Sequence, residues 1–319
     1  MKKLTIALLS GGISSEREVS INSGNQVFEA LDKTKYEIRR YDPKTDLQRL
    51  VADAAKIDAA LIILHGPYGE DGTVQGLLDL LHIPYQCSGV LGSAIAMNKW
   101  VAKRLYEADG LPVPPYVVLR AGEPVRSEDI SARIGFPLVV KPVSAGSSVG
   151  MTIVRNAEGL QAAVDKGLEF DAAVLIEAYI DGVEITGGVL GNDNPEALPL
   201  IEIIPDKDHE FFDYEAKYTP GVTQEICPAR VTESVQQKAQ SYAVAAHQAL
   251  KCKGYSRTDM ILKENELYVL ETNTIPGMTA TSLFPQAAAA AGISFTRLLD
   301  RLIELSLEGR DTGGTEPER

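Results

Sequence analysis

The sequence predicts an α/β protein that begins with an open, mostly parallel sheet and continues with smaller β-rich units. Strand and helix patterns alternate through residue 95, which is typical of parallel strands joined by helical crossovers. A Pro-rich stretch then follows, and the remainder contains more strand patterns, including one prominent hairpin. With 319 residues, 45% of them hydrophobic, the chain can fill two or three domain cores.

The first ninety-five residues supply the elements of the N-terminal sheet. The apolar run Leu4–Leu9 predicts the first strand. Ser15 and Glu18 have the spacing of a capping box, which predicts a helix through Leu31. Further strands are predicted at Tyr36–Asp42 and Ala59–Leu64, and a second helix at Thr73–Leu81.

Two glycine-rich motifs lie where strands of this sheet end. GGISSE covers residues 11–16 after the first strand, and HGPYGEDG covers residues 65–72 after the third. Ligands of open α/β sheets bind at the carboxyl ends of the strands, so we expect both motifs to line a site. For His65 an alternative stays open, a histidine at the edge of the core that bonds only to backbone.

The middle of the chain predicts a second, smaller α/β unit. Met97, Val101 and Leu105 form one stripe of a helix, and the Pro-rich stretch Leu111–Tyr116 follows as an extended connection. We expect the unit to end near Ile180.

A loop of small residues in this unit has the properties of a phosphate site. The β-branched run ending at Lys141 leads into a loop in which Gly146 and Gly150 permit close backbone approach. Ser147 and Ser148 offer hydroxyls, and successive amides can form an anion-binding nest. The pattern matches neither a Walker loop nor a dinucleotide fingerprint. By itself the loop is a weak signal, and an ordinary hairpin turn is the favoured interpretation.

The hairpin near residue 265 favours the phosphate interpretation. Symmetric pairing about Asn265 places Asp259 opposite Glu271 and Arg257 opposite Asn273. Two carboxylates and an amide oxygen then converge, which is the all-oxygen set that Mg²⁺ prefers, commonly together with nucleotide phosphates. An exposed hairpin edge is the alternative. The two strands are predicted at Asp259–Leu262 and Glu266–Thr272.

The remaining segments complete the C-terminal part. Pro205–Gln224 lacks periodicity but is rich in aromatic residues, which predicts an ordered active-site lid, with packing on the domain surface as the alternative. A helix is predicted near Val231–Leu250, and two more helices follow the hairpin. The polar tail Gly309–Arg319 is predicted to be disordered.

Composition excludes several classes of protein. The net charge of −13 argues against nucleic acid or an anionic membrane as partner. The three cysteines, Cys87, Cys227 and Cys252, lack CxxC spacing and indicate buried thiols in a reducing cytoplasm. The apolar run after Lys2 and Lys3 has only six residues and no cleavage site, so it predicts a strand and not a secretory signal. No stretch approaches the ~20 apolar residues of a membrane span.

Six motifs in order resemble the D-alanine–D-alanine ligase family of the ATP-grasp superfamily, from Leu4 to about Leu307. They read GGISSEREVSINSG, HGPYGEDGTVQGLLDLL, KPVSAGSSVG, FFDYEAKYTPG, GYSRTDM and ETNTIPGMTATSL. The resemblance implies a three-domain ATP-grasp fold with boundaries near 1–95, 96–180 and 181–319. ATP would lie between the second and third domains. It also implies ligation of two D-alanines through an acyl phosphate for peptidoglycan synthesis, in a cytoplasmic homodimer built on the N-terminal domain.

The resemblance also implies roles for individual residues. The metal ligands would be Asp259, Glu271 and Asn273, holding two Mg²⁺ ions that Mn²⁺ can replace. The nucleotide would meet Lys99 and Lys141 at its phosphates beneath the Ser147–Ser148 loop, Glu177 and Glu184 at adenine and ribose, and the backbone of Tyr179 and Ile180. The first D-alanine would bind at Glu16 and His65, with Ser147 and Tyr218 bonded to Glu16. Arg257 and Gly277 would face the oxyanion, and Lys217, Ser282 and Leu283 would receive the second carboxylate.

One departure from the family and several rival functions stay open. Ala178 stands where many members carry a lysine beside the adenine, which puts that one side-chain contact in doubt. A D-lactate or D-serine ligase of the same fold is the nearest alternative, although Lys217 and Tyr218 follow the dipeptide-forming pattern. A non-catalytic ATP-binding module is a second alternative. A dehydrogenase is disfavoured because Gly11 and Gly12 lack the third fingerprint glycine.

Overall fold

The computed structural model describes residues 2–146, 149–205 and 223–308. The N-terminal part alternates strands and helices as predicted, and its three strands pair in parallel in the order β2-β1-β3. Parallel pairing follows from the helical crossovers that join the strands. The elements are β1 (Leu4–Leu9), α1 (Arg17–Ala30), β2 (Tyr36–Tyr41), α2 (Leu47–Asp53), β3 (Ala59–Ile62), α3 (Thr73–Leu80) and α4 (Val90–Met97).

Two local predictions in this part are wrong. Helix α1 starts at Arg17 with Glu16 in the cap position and without a side-chain cap bond, so the capping box does not form. Ser14 is used instead, because its hydroxyl donates to the His65 carbonyl and accepts from the Glu16 amide. The single helix through Met97 is also wrong. Asn98 is extended between α4 and α5 (Lys99–Ala108) and caps the second helix.

The central part is the predicted small α/β unit, and its sheet is antiparallel. Four strands pair in the order β4-β7-β5-β6, and apolar side chains of the sheet and of α7 form a separate core. The elements are β4 (Tyr116–Arg120), α6 (Ser127–Ile134), β5 (Leu138–Pro142), β6 (Thr152–Val154), α7 (Leu160–Leu168) and β7 (Ala173–Ala178).

The C-terminal part is built on a second antiparallel sheet. Its strands run in the order β11-β10-β8-β12-β13, and a short strand pairs with β8. Most of the predicted lid, residues 206–222, and the predicted disordered tail lie outside the described residues. The elements are β8 (Val183–Leu190), β9 (Glu196–Ala197), β10 (Ile201–Pro205), β11 (Thr223–Ile226), α8 (Glu233–Ala249), β12 (Tyr255–Lys263), β13 (Glu266–Asn273), α9 (Leu283–Ala290) and α10 (Phe295–Leu307).

The β12–β13 hairpin has the two residue pairs that the sequence predicts, but they arise from a shorter turn and a bulge and not from symmetric pairing about Asn265. Asp259 lies opposite Glu271 and Arg257 opposite Asn273. The turn, however, is two residues long, because Lys263 pairs with Glu266, and the register shifts by one residue next to Asp259. The shorter turn and the bulge compensate each other, so the four side chains face one side of the sheet as predicted.

The last helix returns to the first sheet. Residues of α10, such as Leu299 and Ile303, are buried in the same core as Ile6, Leu8 and Leu61 of the N-terminal strands. Helix α5 instead packs with β13 and α8 in the C-terminal core. The domain boundaries at 95 and 180 stay predictions. Among the described helices, none combines the length and the apolar character needed to cross a bilayer.

A glycine fixes the seam between the N- and C-terminal parts. Gly254 has a φ of +70°, and a Cβ placed there would lie 1.8 Å from the Gln86 carbonyl oxygen. Only glycine fits, because other residues are strained at this φ and the partner is backbone that cannot move aside.

We expect Gly254→Ala to lower the free energy of unfolding by more than the same change at Gly110. Gly110 has a similar φ of +74° but no atom within 4 Å of the added Cβ. The control should cost roughly 1–2 kcal/mol for the left-handed backbone, and Gly254→Ala roughly 1–3 kcal/mol more for overpacking. Urea unfolding of both variants measures the difference. Equal losses of unfolding free energy would contradict a close backbone contact between Gly254 and Gln86.

Candidate active site

Two cavities meet at one ion pair. Lys99, the first residue of α5, and Glu271 on β13 line both cavities, and Lys99 Nζ lies 3.3 Å from Glu271 Oε2. Lys99 is held by its side chain, which donates to the Ala145 carbonyl at 2.7 Å, and by its backbone amide, which bonds to Val143. The pair therefore lies at the boundary between the two cavities.

The predicted metal ligands converge beside the junction. Asp259 is buried, and both of its carboxylate oxygens accept hydrogen bonds. Arg257 donates through Nε to Oδ1 at 2.9 Å and through Nη2 to Oδ2 at 2.7 Å. Asn273 also donates to Oδ2, at 3.1 Å. Thr186 on β8 adds a bond of 2.6 Å. A buried carboxylate of this kind is stabilised only with a cation beside it. In the described residues no three His, Cys, Asp or Glu side chains cluster as ligands, so the set has two carboxylates and an amide.

The opposite face of the hairpin explains why these side chains are rigid. Thr258 and Thr272, which alternate with the site residues along β12 and β13, are buried and lie 2.9 Å apart through their hydroxyls. Tyr106 of α5 donates to Thr272 at 2.7 Å. A satisfied buried network of this kind fixes the strands, and therefore fixes the alternate residues that point to the cavities.

The first cavity contains Glu16 and His65. Both are buried, and burial lowers the pKa of His65 although Glu16 opposes that shift. His65 Nε2 has no hydrogen-bond partner among the described side chains and backbone. An unpaired polar atom in a cavity favours ligand binding by His65 over the core-edge alternative. A Cβ on Gly146 of the phosphate loop would lie 3.5 Å from Glu16 Oε2, so Glu16 reaches the central part.

Glu70 is a cavity residue that the sequence analysis did not single out. Its Oε2 accepts the Gly66 amide at 2.6 Å. Burial, together with the negative charge of Glu16, raises the pKa of Glu70 to about 8. The side chain is therefore protonated at neutral pH.

This shift has a consequence for stability. Between about pH 4.5 and 8, folded Glu70 holds a proton that the unfolded chain has lost, so its contribution to the free energy of unfolding falls as pH rises. Glu70→Gln keeps the side chain neutral at every pH. We expect the variant to gain stability relative to wild type from pH 5 to pH 8, measured by urea unfolding, whereas exposed Glu169→Gln gives a constant difference. A constant difference for Glu70→Gln as well would refute the raised pKa.

The second cavity is lined by apolar side chains at one end and by charges at the other. Val139, Met151 and Ile153 of the central sheet face Ile261 and Leu270 of the hairpin. A flat aromatic base fits between such walls. The predicted residues Lys141, Glu177, Tyr179, Ile180, Glu184 and Asp259, as well as Ala178, line the same cavity.

Glu177 is paired with two lysines. Its Oε1 lies 2.5 Å from Lys141 Nζ and its Oε2 lies 2.8 Å from Lys103 Nζ, and all three residues are buried. Burial alone would raise the pKa of Glu177, but the two ammonium groups lower it. Burial likewise would lower the pKa of Lys141, and Glu177 raises it. Lys103 lies one turn after Lys99 on α5, so the sequence already places the two lysines on one face of that helix.

The start of α9 follows the Gly277 loop, which lines the first cavity. Ser282 is the cap residue and Leu283 the first helical residue, and the first amides of a helix have no partner within the helix. A Cβ on Gly277 would lie 3.0 Å from Ser282 Oγ, so glycine lets the loop and the cap residue approach closely. Thr279 contacts the Ser282 hydroxyl at 2.7 Å. An amino-acid carboxylate is suited to this position.

Four predicted site residues lie outside the described residues: Ser147, Ser148, Lys217 and Tyr218. The other predicted residues, except Ser282 and Leu283, line one or both of the two cavities. Among the residues that the prediction did not include, Lys103 and Thr186 contact predicted residues directly, and Glu70 lines the first cavity.

Comparison with known proteins agrees with this geometry. Residues 39–88 match the family model of the D-ala D-ala ligase N-terminus, and residues 105–304 match that of the C-terminus. The D-alanine–D-alanine ligase of Syntrophobacter fumaroxidans is 65% identical over 96% of this chain and 99% of that protein, and the one of Desulfotalea psychrophila is 53% identical over 96% of each.

Solved structures show the same architecture. The D-alanine–D-alanine ligase from Bacillus anthracis complexed with ATP has a TM-score of 0.85 and 39% identity, covering 98% of this chain and 100% of that one. The VanG D-Ala:D-Ser ligase from Enterococcus faecalis has a TM-score of 0.84 and 32% identity, covering 96% and 100%.

The fold and the paired cavities define an ATP-grasp enzyme of the ligase class. Within that class, the chain belongs to the D-alanine–D-alanine ligase family. The resemblance noted from the six motifs is thereby confirmed, and so is the predicted fold.

Proposed function

We propose that the protein joins two D-alanines to D-alanyl-D-alanine, a peptidoglycan precursor, at the expense of ATP. The meeting of the two cavities at Lys99 and Glu271 carries this proposal. The carboxylate of the first D-alanine takes the γ-phosphoryl group and ADP leaves. The amine of the second D-alanine then attacks the acyl carbon, phosphate leaves and the amine loses a proton. Such a transfer needs in-line positioning and charge neutralisation more than a protein nucleophile.

The first D-alanine is assigned to the cavity of Glu16 and His65. A buried carboxylate suits the ammonium group of the substrate, and neutral His65 presents an unpaired Nε2 beside it. Ser147 and Tyr218 are assigned as further partners of Glu16.

ATP is assigned to the second cavity. The adenine would lie between the apolar walls near Tyr179 and Ile180, the ribose near Glu184, and the phosphates near Lys141 and Lys99. Ser148 and the loop around it would close over the phosphates. The methyl side chain of Ala178 lines the same cavity, so the base is recognised without the lysine that many relatives carry.

Two Mg²⁺ ions, for which Mn²⁺ can substitute, are assigned to Asp259, Glu271 and Asn273. The residues fit a hard cation, since all three side chains carry oxygen atoms and line the two cavities. Bound there, the ions would neutralise phosphate charge. Arg257 and the Gly277 amide would face the oxyanion of the second step.

The acceptor D-alanine is assigned to the start of α9. Ser282 and Leu283 offer a hydroxyl and helix-terminal amides for its carboxylate, with Lys217 as the cation. A D-serine or D-lactate acceptor is the alternative, because the VanG D-Ala:D-Ser ligase has the same fold. The higher identity to D-alanine–D-alanine ligases, 65% against 32%, favours D-alanine.

The test is phosphate release with ATP, Mg²⁺ and each acceptor at pH 7. We expect rapid release with D-alanine alone, and D-alanyl-D-alanine as the main product by mass when D-lactate or D-serine is added beside D-alanine. Comparable D-alanyl-D-lactate or D-alanyl-D-serine formation would assign the protein to the rival specificity. An absence of phosphate release with every acceptor would leave a non-catalytic ATP-binding module.

We also propose a cytoplasmic homodimer built on the N-terminal domain. Large apolar side chains are exposed on that part, including Ile13, Tyr68 and Leu80, which is 80% exposed. Exposed apolar groups of this size favour a protein partner. Light scattering at micromolar concentration distinguishes a dimer from a monomer.

A further inference from the structure

Lys103 is a buried cation that lines neither cavity. Its side chain is fully buried, and its ammonium group lies 2.8 Å from Glu177 Oε2 and 5.7 Å from the centre of the Tyr116 ring. Burying an ammonium group costs several kcal/mol unless a partner compensates for the lost hydration. Apolar residues fill such positions at lower cost, so the charge itself requires an explanation.

The partner of Lys103 is shared with a residue of the second cavity. Glu177 contacts Lys103 through one oxygen and Lys141 through the other. Lys141 lines the cavity assigned to ATP, whereas Lys103 lies on the far side of the carboxylate. Burial lowers the pKa of Lys103, and the negative charge of Glu177 opposes that shift. With all three groups ionised, they carry two positive charges and one negative charge.

This arrangement changes what Lys141 can offer a phosphate. With Lys141 as its single partner, the Glu177 carboxylate would cancel the charge of that lysine and the pair would be neutral. Because Lys103 occupies the opposite oxygen, the three groups keep a net positive charge next to the cavity. Interactions in a buried site are only weakly screened, so the difference is felt by a bound anion.

We propose that Lys103 is a positioning residue for Glu177. Because Lys103 binds one oxygen of the carboxylate, Glu177 does not fully neutralise Lys141, and Lys141 retains its positive charge for the nucleotide phosphates. The inference rests on the proposed function, specifically on Lys141 as a phosphate contact. Lys103 touches neither substrate. Glu177 has a second role besides any contact with adenine, since it links Lys103 to Lys141.

Calorimetric titration of the full chain with ADP and, separately, with adenosine tests the proposal. Lys103→Met removes the charge and keeps the length of the side chain. We expect about a tenfold weaker affinity for ADP, the scale of one hydrogen bond to a charged group, and an adenosine affinity that changes less than about twofold. Equal losses for both ligands would reduce Lys103 to a packing role, and an unchanged ADP affinity would overturn the proposal.

A second variant keeps the test decisive if Lys103→Met folds poorly. Lys103→Met combined with Glu177→Gln removes the cation and the anion together, and leaves Lys141 with its charge. We expect the ratio of ADP affinity to adenosine affinity to be higher in this double variant than in Lys103→Met, or, when the single variant does not fold, within about threefold of the wild-type ratio, because any adenine contact of Glu177 affects both ligands equally. A double variant that lowers this ratio at least as much as Lys141→Met would contradict the charge argument.

Lys141→Met separates this inference from the site assignment. If that variant binds ADP as tightly as wild type, Lys141 is not a phosphate contact and the proposed nucleotide site fails. If Lys141→Met loses ADP affinity while Lys103→Met does not, the site stands and the role of Lys103 is refuted. Lys166→Met, on α7 and away from both cavities, is the control for surface charge.

Discussion

Glu271→Gln is expected to reduce ADP formation at least about a hundredfold while the protein stays folded. Glu271 lines both cavities, contacts Lys99 at 3.3 Å and lies opposite Asp259 in the hairpin. Glutamine keeps the size but removes the charge that two divalent cations would share. Developing charge on the transferred phosphoryl group then loses its counter-charges at the one point where the cavities join.

The measurement is ADP release as a function of Mg²⁺ and Mn²⁺ concentration, together with a thermal melt. Glu266→Gln, at the exposed start of the same strand, should leave the rate within about twofold of wild type, as expected for a surface site. Wild-type turnover of Glu271→Gln at low Mg²⁺ would exclude Glu271 as a metal ligand. A rate that recovers at high Mg²⁺ would support a weakened but occupied site.

Arg257→Lys is expected to lower kcat by about a hundredfold, close to the ~3 kcal/mol that one oxyanion contact supplies. Arg257 holds both oxygens of Asp259 through Nε and Nη2, and lysine cannot make that planar two-point contact. The substitution therefore removes a donor from the oxyanion and loosens a metal ligand at the same time. Both effects act on the transition state more than on substrate binding.

Steady-state kinetics with varied ATP and varied D-alanine separate these contributions. We expect kcat to fall with a KM for ATP that changes less than about threefold, since Arg257 is absent from the apolar walls of the nucleotide cavity. Lys263→Met at the exposed end of β12 is the matched control. A variant with normal kcat and a raised KM for ATP would move Arg257 from the reaction centre to nucleotide binding.

The hairpin illustrates how much of the site follows from sequence. Periodicity of two residues predicts that Asp259, Glu271 and Asn273 share a face, and the structure agrees. The turn length was predicted incorrectly, because a one-residue bulge has no compositional signature that separates it from a longer turn. The facing pairs were recovered because the two deviations cancel. Register in such a hairpin is fixed by the sheet it joins, through β8, and not by the turn alone.

The buried charges could not be obtained in the same way. Lys103 has the same spacing from Lys99 as any pair on one helical face, and only the tertiary structure brings this residue of α5 to Glu177 of the central sheet. Asn98 likewise interrupts an apolar stripe that is continuous in the sequence, because its side chain caps α5. Glu70 lies within a motif that the sequence singled out, but its raised pKa depends on burial in the folded protein and on Glu16, which is distant along the chain.

The return of α10 to the first sheet has a consequence for synthesis on the ribosome. The strands β1 to β3 are complete by Ile62, but the helix that shares their core begins at Phe295. Translation of the roughly 230 intervening residues takes on the order of 10–50 s. During that time the apolar face that α10 covers is open to solvent, because the core of the N-terminal sheet is completed only when α10 has been synthesised. Nascent chains stalled before residue 295 should therefore bind chaperones that recognise exposed apolar surface, and release them once α10 emerges.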